Sequence, residues 1–145
     1  MKKRFLINVI IIIILVLIDQ LTKQMLINKN ICIIPNVLDL TYIQNSGAAF
    51  GIGSNFFVMC SSIIIILLFM AYLYVDREKI NNFFPYTLVI SGAVGNLIDR
   101  IIRGYVIDFI DISFLNFPCF NIADICVVVG IVVLIILISI KIIKN

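Results

Sequence analysis

The sequence predicts an all-α membrane protein, with four transmembrane helices joined by small extracytoplasmic segments that are β-rich or loop. Three observations carry that prediction. Of 145 residues, 63% are hydrophobic and only 13% charged, more apolar than a water-facing surface can accommodate. Four stretches each approach the roughly 20 apolar residues that a hydrocarbon layer about 30 Å thick requires. Lys and Arg are distributed unevenly among the segments between them.

The spans are placed at residues 5–26, 56–75, 83–102 and 122–140, within a single domain covering 1–145. The first follows Met1-Lys-Lys-Arg but lacks a small-residue cleavage site, and its apolar run continues into Asp19, Gln20 and Lys23. It therefore reads as a retained helix with a polar outer end. Lys2, Lys3, Arg4, Arg77, Lys79, Lys141 and Lys144 gather on one side, against Lys23, Lys29, Arg100 and Arg103 on the other. Positive charge is retained in the cytoplasm during insertion, so both termini and the Asp76 to Asn82 turn are expected there. The net charge of +3 follows from this topology and gives no support to nucleic-acid binding.

The outer segments read as extended structure. Ile31 to Gly51 alternates β-branched residues with turn signals at Pro35-Asn36 and Ser46-Gly47, and Tyr105 to Ile112 leads back into the fourth span. The apolar content of the first segment places it on the membrane surface. Cys60 and Cys126 fall within spans, whereas Cys32 and Cys119 are both outside. An oxidising compartment would permit those two to pair, but spacing alone leaves the matter open.

Of eight acidic residues, Asp19, Asp39, Asp99, Asp108, Asp111 and Asp124 lie at or beyond the outer ends of the spans, leaving Asp76 and Glu78 in the cytoplasmic turn. At a rise of about 1.5 Å per residue, Asp19 stands about 21 Å from the inner end of its helix and Asp124 about 24 Å. Asp99 lies a turn from the outer end of its own helix. Ionised groups at that depth cost several kcal/mol, on the order of 3, unless paired or facing water, so three helices each bearing one imply a common polar pocket. Taken singly, each also has a local explanation: Lys23 follows Asp19 at i+4, Arg100 adjoins Asp99, and Asn121 reads as a helix cap near Asp124. Asn96, Asp99 and Arg100 share a helix face, and Ser91-Gly-Ala-Val-Gly before them provides small residues for close helix packing.

The chain contains no histidine, which removes His-dependent triads and most zinc sites. No metal constellation or cofactor motif is visible, and none is expected. A Ser-Lys arrangement of Ser46 with Lys23 or Lys29 ranks low, because nothing marks either lysine as desolvated. Two aspartates sharing a proton suffice for hydrolysis: the ionised one draws a proton from water while the protonated one donates to the substrate carbonyl. A proton or cation pathway is a rival use of such acids. It would need polar residues across the membrane, whereas Ile11-Ile-Ile-Ile and Ile131-Val-Val-Leu-Ile-Ile leave a polar cup open on one side only.

Five motifs in order then carry a resemblance: Ile18-Asp-Gln-Leu-Thr-Lys, Gln44-Asn-Ser-Gly-Ala-Ala-Phe-Gly, Gly95-Asn-Leu-Ile-Asp-Arg, Val106-Ile-Asp-Phe and Phe120-Asn-Ile-Ala-Asp. Over essentially its whole length the chain resembles lipoprotein signal peptidase, also called signal peptidase II. The resemblance implies a monomeric aspartic endopeptidase of the bacterial inner membrane, with its site at the extracytoplasmic face. It implies prolipoprotein substrates, cleaved on the N-terminal side of a diacylglyceryl-modified cysteine, and membrane lipid as a further partner. By motif matching, Asp108 and Asp124 are the catalytic pair. Asn45, Gly47, Asn96, Asp99, Arg100, Asn121 and Ala123 are pocket residues, supported by Asp19 and Lys23. The residues alone do not choose Asp108 over Asp99, although Arg100 beside Asp99 is expected to hold that carboxyl ionised.

Overall fold

The computed structural model describes residues 2–47, 60, 63, 64, 66, 67, 69, 83–115 and 117–144. Helix α1 spans Lys2–Leu26, followed by strands β1 (Asn30–Ile34) and β2 (Leu38–Asn45). Helix α2 spans Phe84–Arg103, strand β3 Val106–Asp111, and helix α3 Ile122–Lys144, with a single 3-10 turn at Ser113–Leu115 before it. These helices match the first, third and fourth expected spans, with α1 starting three residues earlier and α3 running to Lys144. The expected span at 56–75 lies largely outside the described residues; within it Cys60, Ile63, Ile64, Ile66, Leu67 and Phe69 are helical. The Asp76 to Asn82 turn and Ala48 to Gly51 also lie outside them.

Among the described residues, the stretches Phe5–Leu26 and Ile122–Ile143 are long and apolar enough to cross a membrane. Their side chains are mostly exposed, with Phe5, Leu17 and Leu21 on α1 and Val128, Ile135 and Ile138 on α3 among the open ones. A surface of that kind suits a lipid solvent. Helix α2 is different: Leu88, Val89, Ile90, Ser91, Asn96 and Asp99 are all buried, because it packs against both α1 and α3. Pro85 sits in its first turn, where no intrahelical N–H bond is lost. Gly104 closes it at φ 79°, with its N–H donating to the Arg100 carbonyl at 3.2 Å, a left-handed cap that suits glycine.

The α2–α3 contact is close because glycines line it. A Cβ built on Gly92 would stand 2.1 Å from the Ala123 carbonyl oxygen, and one on Gly130 would be 2.8 Å from that of Pro85. Small residues thus do the work expected of Ser91 to Gly95: they let the backbones approach. Gly95 stands where both other helices approach: a Cβ there would meet Asp19 Oδ2 of α1 at 2.8 Å and the Ala123 Cβ of α3 at 3.3 Å.

The three strands form one antiparallel sheet in the order β1-β2-β3. The tight turn between β1 and β2 carries Asn36 at φ 60°, a conformation that asparagine tolerates better than most residues. Between β2 and β3 the register pairs Ile43 with Asp108 and Asn45 with Val106. Asn45 and Asp108 are therefore diagonal neighbours, within reach of each other's side chains. Val106, Ile107 and Phe109 are buried, anchoring β3 under the helices. Cys32, Cys60, Cys119 and Cys126 are free thiols, and Cys119 Sγ rests 3.9 Å from the Thr41 carbonyl oxygen.

Candidate active site

The site is assembled where the C-terminal ends of α1 and α2 and the N-terminal end of α3 meet β3. Asp19 and Lys23 are one turn apart on α1 and form an ion pair at 2.8 Å. Lys23 also pairs with Asp99 of α2 at 2.9 Å, and Arg103 bonds the other oxygen of Asp99. Asp19, Lys23 and Asp99 are essentially inaccessible. This cluster holds two carboxylates and two cations, so its formal charge cancels, which is the condition under which ions are retained away from water. Its remaining acceptors are also occupied: Asp19 Oδ1 takes the Ala123 N–H at 3.0 Å, and Asp99 Oδ2 takes the Ile107 N–H at 3.2 Å. The first ties α1 to an otherwise unpartnered N–H at the start of α3; the second ties α2 to the residue preceding Asp108.

Two expectations are corrected here. Arg100 is not the partner of Asp99: its Nη1 donates to the Asn96 carbonyl oxygen at 3.2 Å, while Asp99 pairs with Lys23 and Arg103. Neighbours in sequence on a helix point about 100° apart, so Arg103, at i+4, takes the place beside Asp99. The second correction concerns desolvation. Lys23 is fully buried, but its donors are aimed at Asp19, Asp99 and Asn96, which gives it a structural employment rather than that of a base for Ser46.

Asp108 and Asp124 have a different setting, made of amides. Asp108 accepts from Asn121 Nδ2 at 2.6 Å and from Asn45 Nδ2 at 2.8 Å. Asp124 accepts from Asn96 Nδ2 at 2.7 Å and from the Asn121 backbone N–H at 3.1 Å. Asn121 is the common element. Its Oδ1 takes the Asp124 backbone N–H at 2.9 Å while Asp124 returns the bond, a reciprocal cap of the α3 N-terminus. The same cap leaves Asn121 Nδ2 free to reach Asp108, Asn96 Oδ1 and the Ile107 carbonyl oxygen. One capped helix end therefore brings together a carboxylate of α3 and a carboxylate of β3.

Burial distinguishes the pair further. Asp108 is buried and Asp124 is only partly so. Burial pushes the Asp108 carboxyl from 3.8 up to about 6; the nearby Asp124 charge adds to this, while the amides of Asn45 and Asn121 and the Lys23 charge oppose it. A carboxyl in that range can give or take a proton near neutrality. Asn45 is itself fixed by the Gly47 N–H, which donates to its Oδ1 at 2.9 Å; Gly47 adopts φ 75°, a backbone state that glycine reaches without strain.

The candidates Asp19, Lys23, Asn45, Gly47, Asn96, Asp99, Asp108, Asn121, Ala123 and Asp124 thus belong to one connected polar layer, with Arg100 at its edge. Two members escaped the sequence reading. Gln20 Nε2 lies 3.1 Å from both the Gly95 carbonyl oxygen and Asp99 Oδ1, and Gln20 Oε1 accepts from Arg103 at 3.2 Å. In the sequence alone Arg103 reads only as a flanking charge. Its spacing of four from Asp99 was the available signal.

Apolar helices exposed on their outer faces and a polar cup built at one end are the marks of a membrane enzyme. Two solved structures of a bacterial membrane enzyme, determined by the in meso method at 2.3 and 1.9 Å, are similar to this chain. The first has TM-score 0.76 and 33% identity, covering 91% of this chain and 87% of that one. The second has TM-score 0.80 and 34% identity, covering 90% and 91%. The family model for signal peptidase (SPase) II matches residues 11–140. The lipoprotein signal peptidase of Thermodesulfovibrio yellowstonii is 41% identical over 131 residues, covering 83% of this chain and 86% of that protein. That of Lactococcus lactis is 40% identical over 142 residues, covering 92% and 93%. The chain belongs to the signal peptidase II family, a family of aspartic peptidases.

Proposed function

We propose that this protein is an endopeptidase of the bacterial inner membrane that removes the signal peptide from prolipoproteins, cutting on the N-terminal side of a diacylglyceryl-modified cysteine. It acts as a monomer and a single domain, with four spans and both termini in the cytoplasm. The carboxylate site then opens on the extracytoplasmic side, where the lipid anchor of the substrate lies. The excess of Lys and Arg at the opposite ends of α1 and α3 supports this orientation, and the names of the relatives support the substrate.

Asp108 and Asp124 are the catalytic pair in this reading. With one proton between them, the ionised member removes a proton from water as its oxygen attacks the scissile carbonyl. The protonated member donates to the carbonyl oxygen, and collapse of the tetrahedral intermediate returns a proton to the leaving amine. Asn45, Asn96 and Asn121 hold the two carboxyls, Arg100 bonds the Asn96 carbonyl oxygen at the edge of the site, and Asp19, Lys23 and Asp99 fix the helices that present them. No metal or cofactor enters the scheme. The observation that carries the reading is Asn121, which touches both carboxylates at once.

The test is cleavage by the purified protein in detergent, using a precursor with and without diacylglyceryl on its cysteine. Cutting of the lipidated form alone is expected. Equal cutting of the bare precursor would refute the substrate assignment, and binding without cutting would leave a scaffold in place of an enzyme.

A further inference from the structure

The hydrogen bonds around Asn96 run in one direction only. Lys23 has three N–H donors and no acceptor, so the side-chain atom of Asn96 that meets its Nζ at 2.9 Å must be the oxygen. Asn121 Nδ2 donates to the same oxygen at 3.1 Å. With its oxygen claimed twice, Asn96 has only its amino group to offer Asp124, at 2.7 Å. Asn121 is likewise constrained: its oxygen is held by the Asp124 backbone N–H, so its amino group faces Asp108.

We propose that Lys23 is a positioning residue that acts through Asn96, fixing the amide so that a donor and never an acceptor faces Asp124. This rests on the assignment of Asp124 to catalysis. Lys23 does not touch Asp108 or Asp124 by hydrogen bond or ion pair in any of the described contacts, and its influence passes through one side chain. The groups facing that relay are Asp19 and Lys23 from α1, Asp99 and Arg100 from α2, Asp108 from β3, and Asn121 and Asp124 from α3. Without the ammonium, Asn121 Nδ2 alone holds the Asn96 oxygen, and the amide loses the charged partner that most strongly bars rotation; turned over, it would present its oxygen to the carboxylate, where two acceptors would oppose each other unless a proton intervened.

The experiment uses the full-length protein in detergent with the lipidated precursor. Lys23→Met alone would strand two buried carboxylates, so it is combined with Asp19→Asn. The pair D19N/K23M keeps the cluster neutral, leaving Asp99 with Arg103, and the new amide oxygen can still accept from Ala123. A fall in kcat of tenfold or more with KM within twofold of wild type is expected, since positioning of a reacting group is lost while the substrate contacts remain. Asn96→Asp is the second variant: it preserves an acceptor for Lys23 and removes the donor toward Asp124, and the same split between kcat and KM is expected. Either variant, folded by thermal melting and retaining kcat within twofold, would overturn the relay. Asp124→Asn in the same assay separates the two readings. If D124N is inactive while D19N/K23M and N96D are fully active, only the relay fails; if D124N remains active, the catalytic assignment fails.

Discussion

Four carboxylates lie within a few residues' reach of one another, yet they are held in two contrasting ways. Asp19 and Asp99 are pinned by the ammonium of Lys23 and the guanidinium of Arg103. Asp108 and Asp124 receive hydrogen bonds from asparagine amides and a backbone N–H, and among the described residues no cation forms an ion pair with either. A cation stabilises only the ionised carboxylate, whereas an amide allows a proton to come and go at smaller cost. The difference teaches that the first pair fastens helices together and the second is left able to do chemistry. The largest expected effect follows from that division. Asp108→Asn or Asp124→Asn lowers the cleavage rate by about 10²- to 10⁴-fold or more, the range for losing a general acid or base. Both variants should be recovered folded, as read by thermal melting in detergent. Full activity in either would erase the contrast.

The first pair should fail in the opposite manner. Asp99→Ala leaves Lys23 and Arg103 without a shared counter-ion and the Ile107 N–H without an acceptor. Removing one partner of a buried pair costs about 3–5 kcal/mol, so this variant is expected to lose folded protein first and activity only in consequence. The measurement is the melting midpoint together with the specific activity of whatever fraction remains folded. A stable D99A protein with no activity would move Asp99 into the chemistry.

Packing sharpens the comparison at a smaller scale. Gly92→Ala places a methyl group 2.1 Å from the Ala123 carbonyl oxygen, and overpacking of this kind costs about 1–3 kcal/mol. Because Ala123 adjoins Asp124, a drop in activity beyond that explained by stability would measure how closely the Asp124 end of α3 must be seated. Unchanged melting in G92A would mean that α2 and α3 can separate freely at this point.

How much of this was legible in the sequence differs between backbone and side chains. The helices α1, α2 and α3 were readable from long runs of mostly apolar residues, and those of α1 and α3 are long and apolar enough to cross a membrane. The strands were readable because turn residues interrupt β-branched runs. The gathering of carboxylates at one end of the helices was visible as well. What the chain could not disclose was who pairs with whom across elements. Arg100 next to Asp99 looked like a pair, but helix geometry gives that place to Arg103. Asn121 read as a cap, and its second contact, to Asp108, depends on the fold of β3. The choice of Asp108 came from motif resemblance, since no spacing rule relates a strand residue such as Asp108 to Asp124 on the following helix. Gln20 was missed because an uncharged residue beside an aspartate carries no signal until α2 is brought against it.

The smallest effect concerns the single amide that reaches Asp108 from the sheet. Asn45 is exposed, and its Nδ2 holds Asp108 Oδ2 at 2.8 Å. Burial raises the Asp108 carboxyl to about 6, and the Asn45 bond is the foremost influence opposing that rise. If the shared proton is required, cleavage declines as pH climbs through the value at which the pair loses it, so the wild-type profile has a basic limb governed in part by Asp108. Asn45→Ala removes an opposing influence, the carboxyl climbs further, and the basic limb moves to higher pH. The stability sign agrees: a carboxyl with a raised folded value favours the folded state fully below about 3.8, and that contribution is lost as pH rises through about 6. In N45A the loss should extend to higher pH. Rate profiles and melting midpoints measured between pH 4 and 8 on wild type and N45A would read both shifts. A basic limb that moves to lower pH, or stays in place while the melting profile shifts, would remove Asp108 from the group that carries the proton.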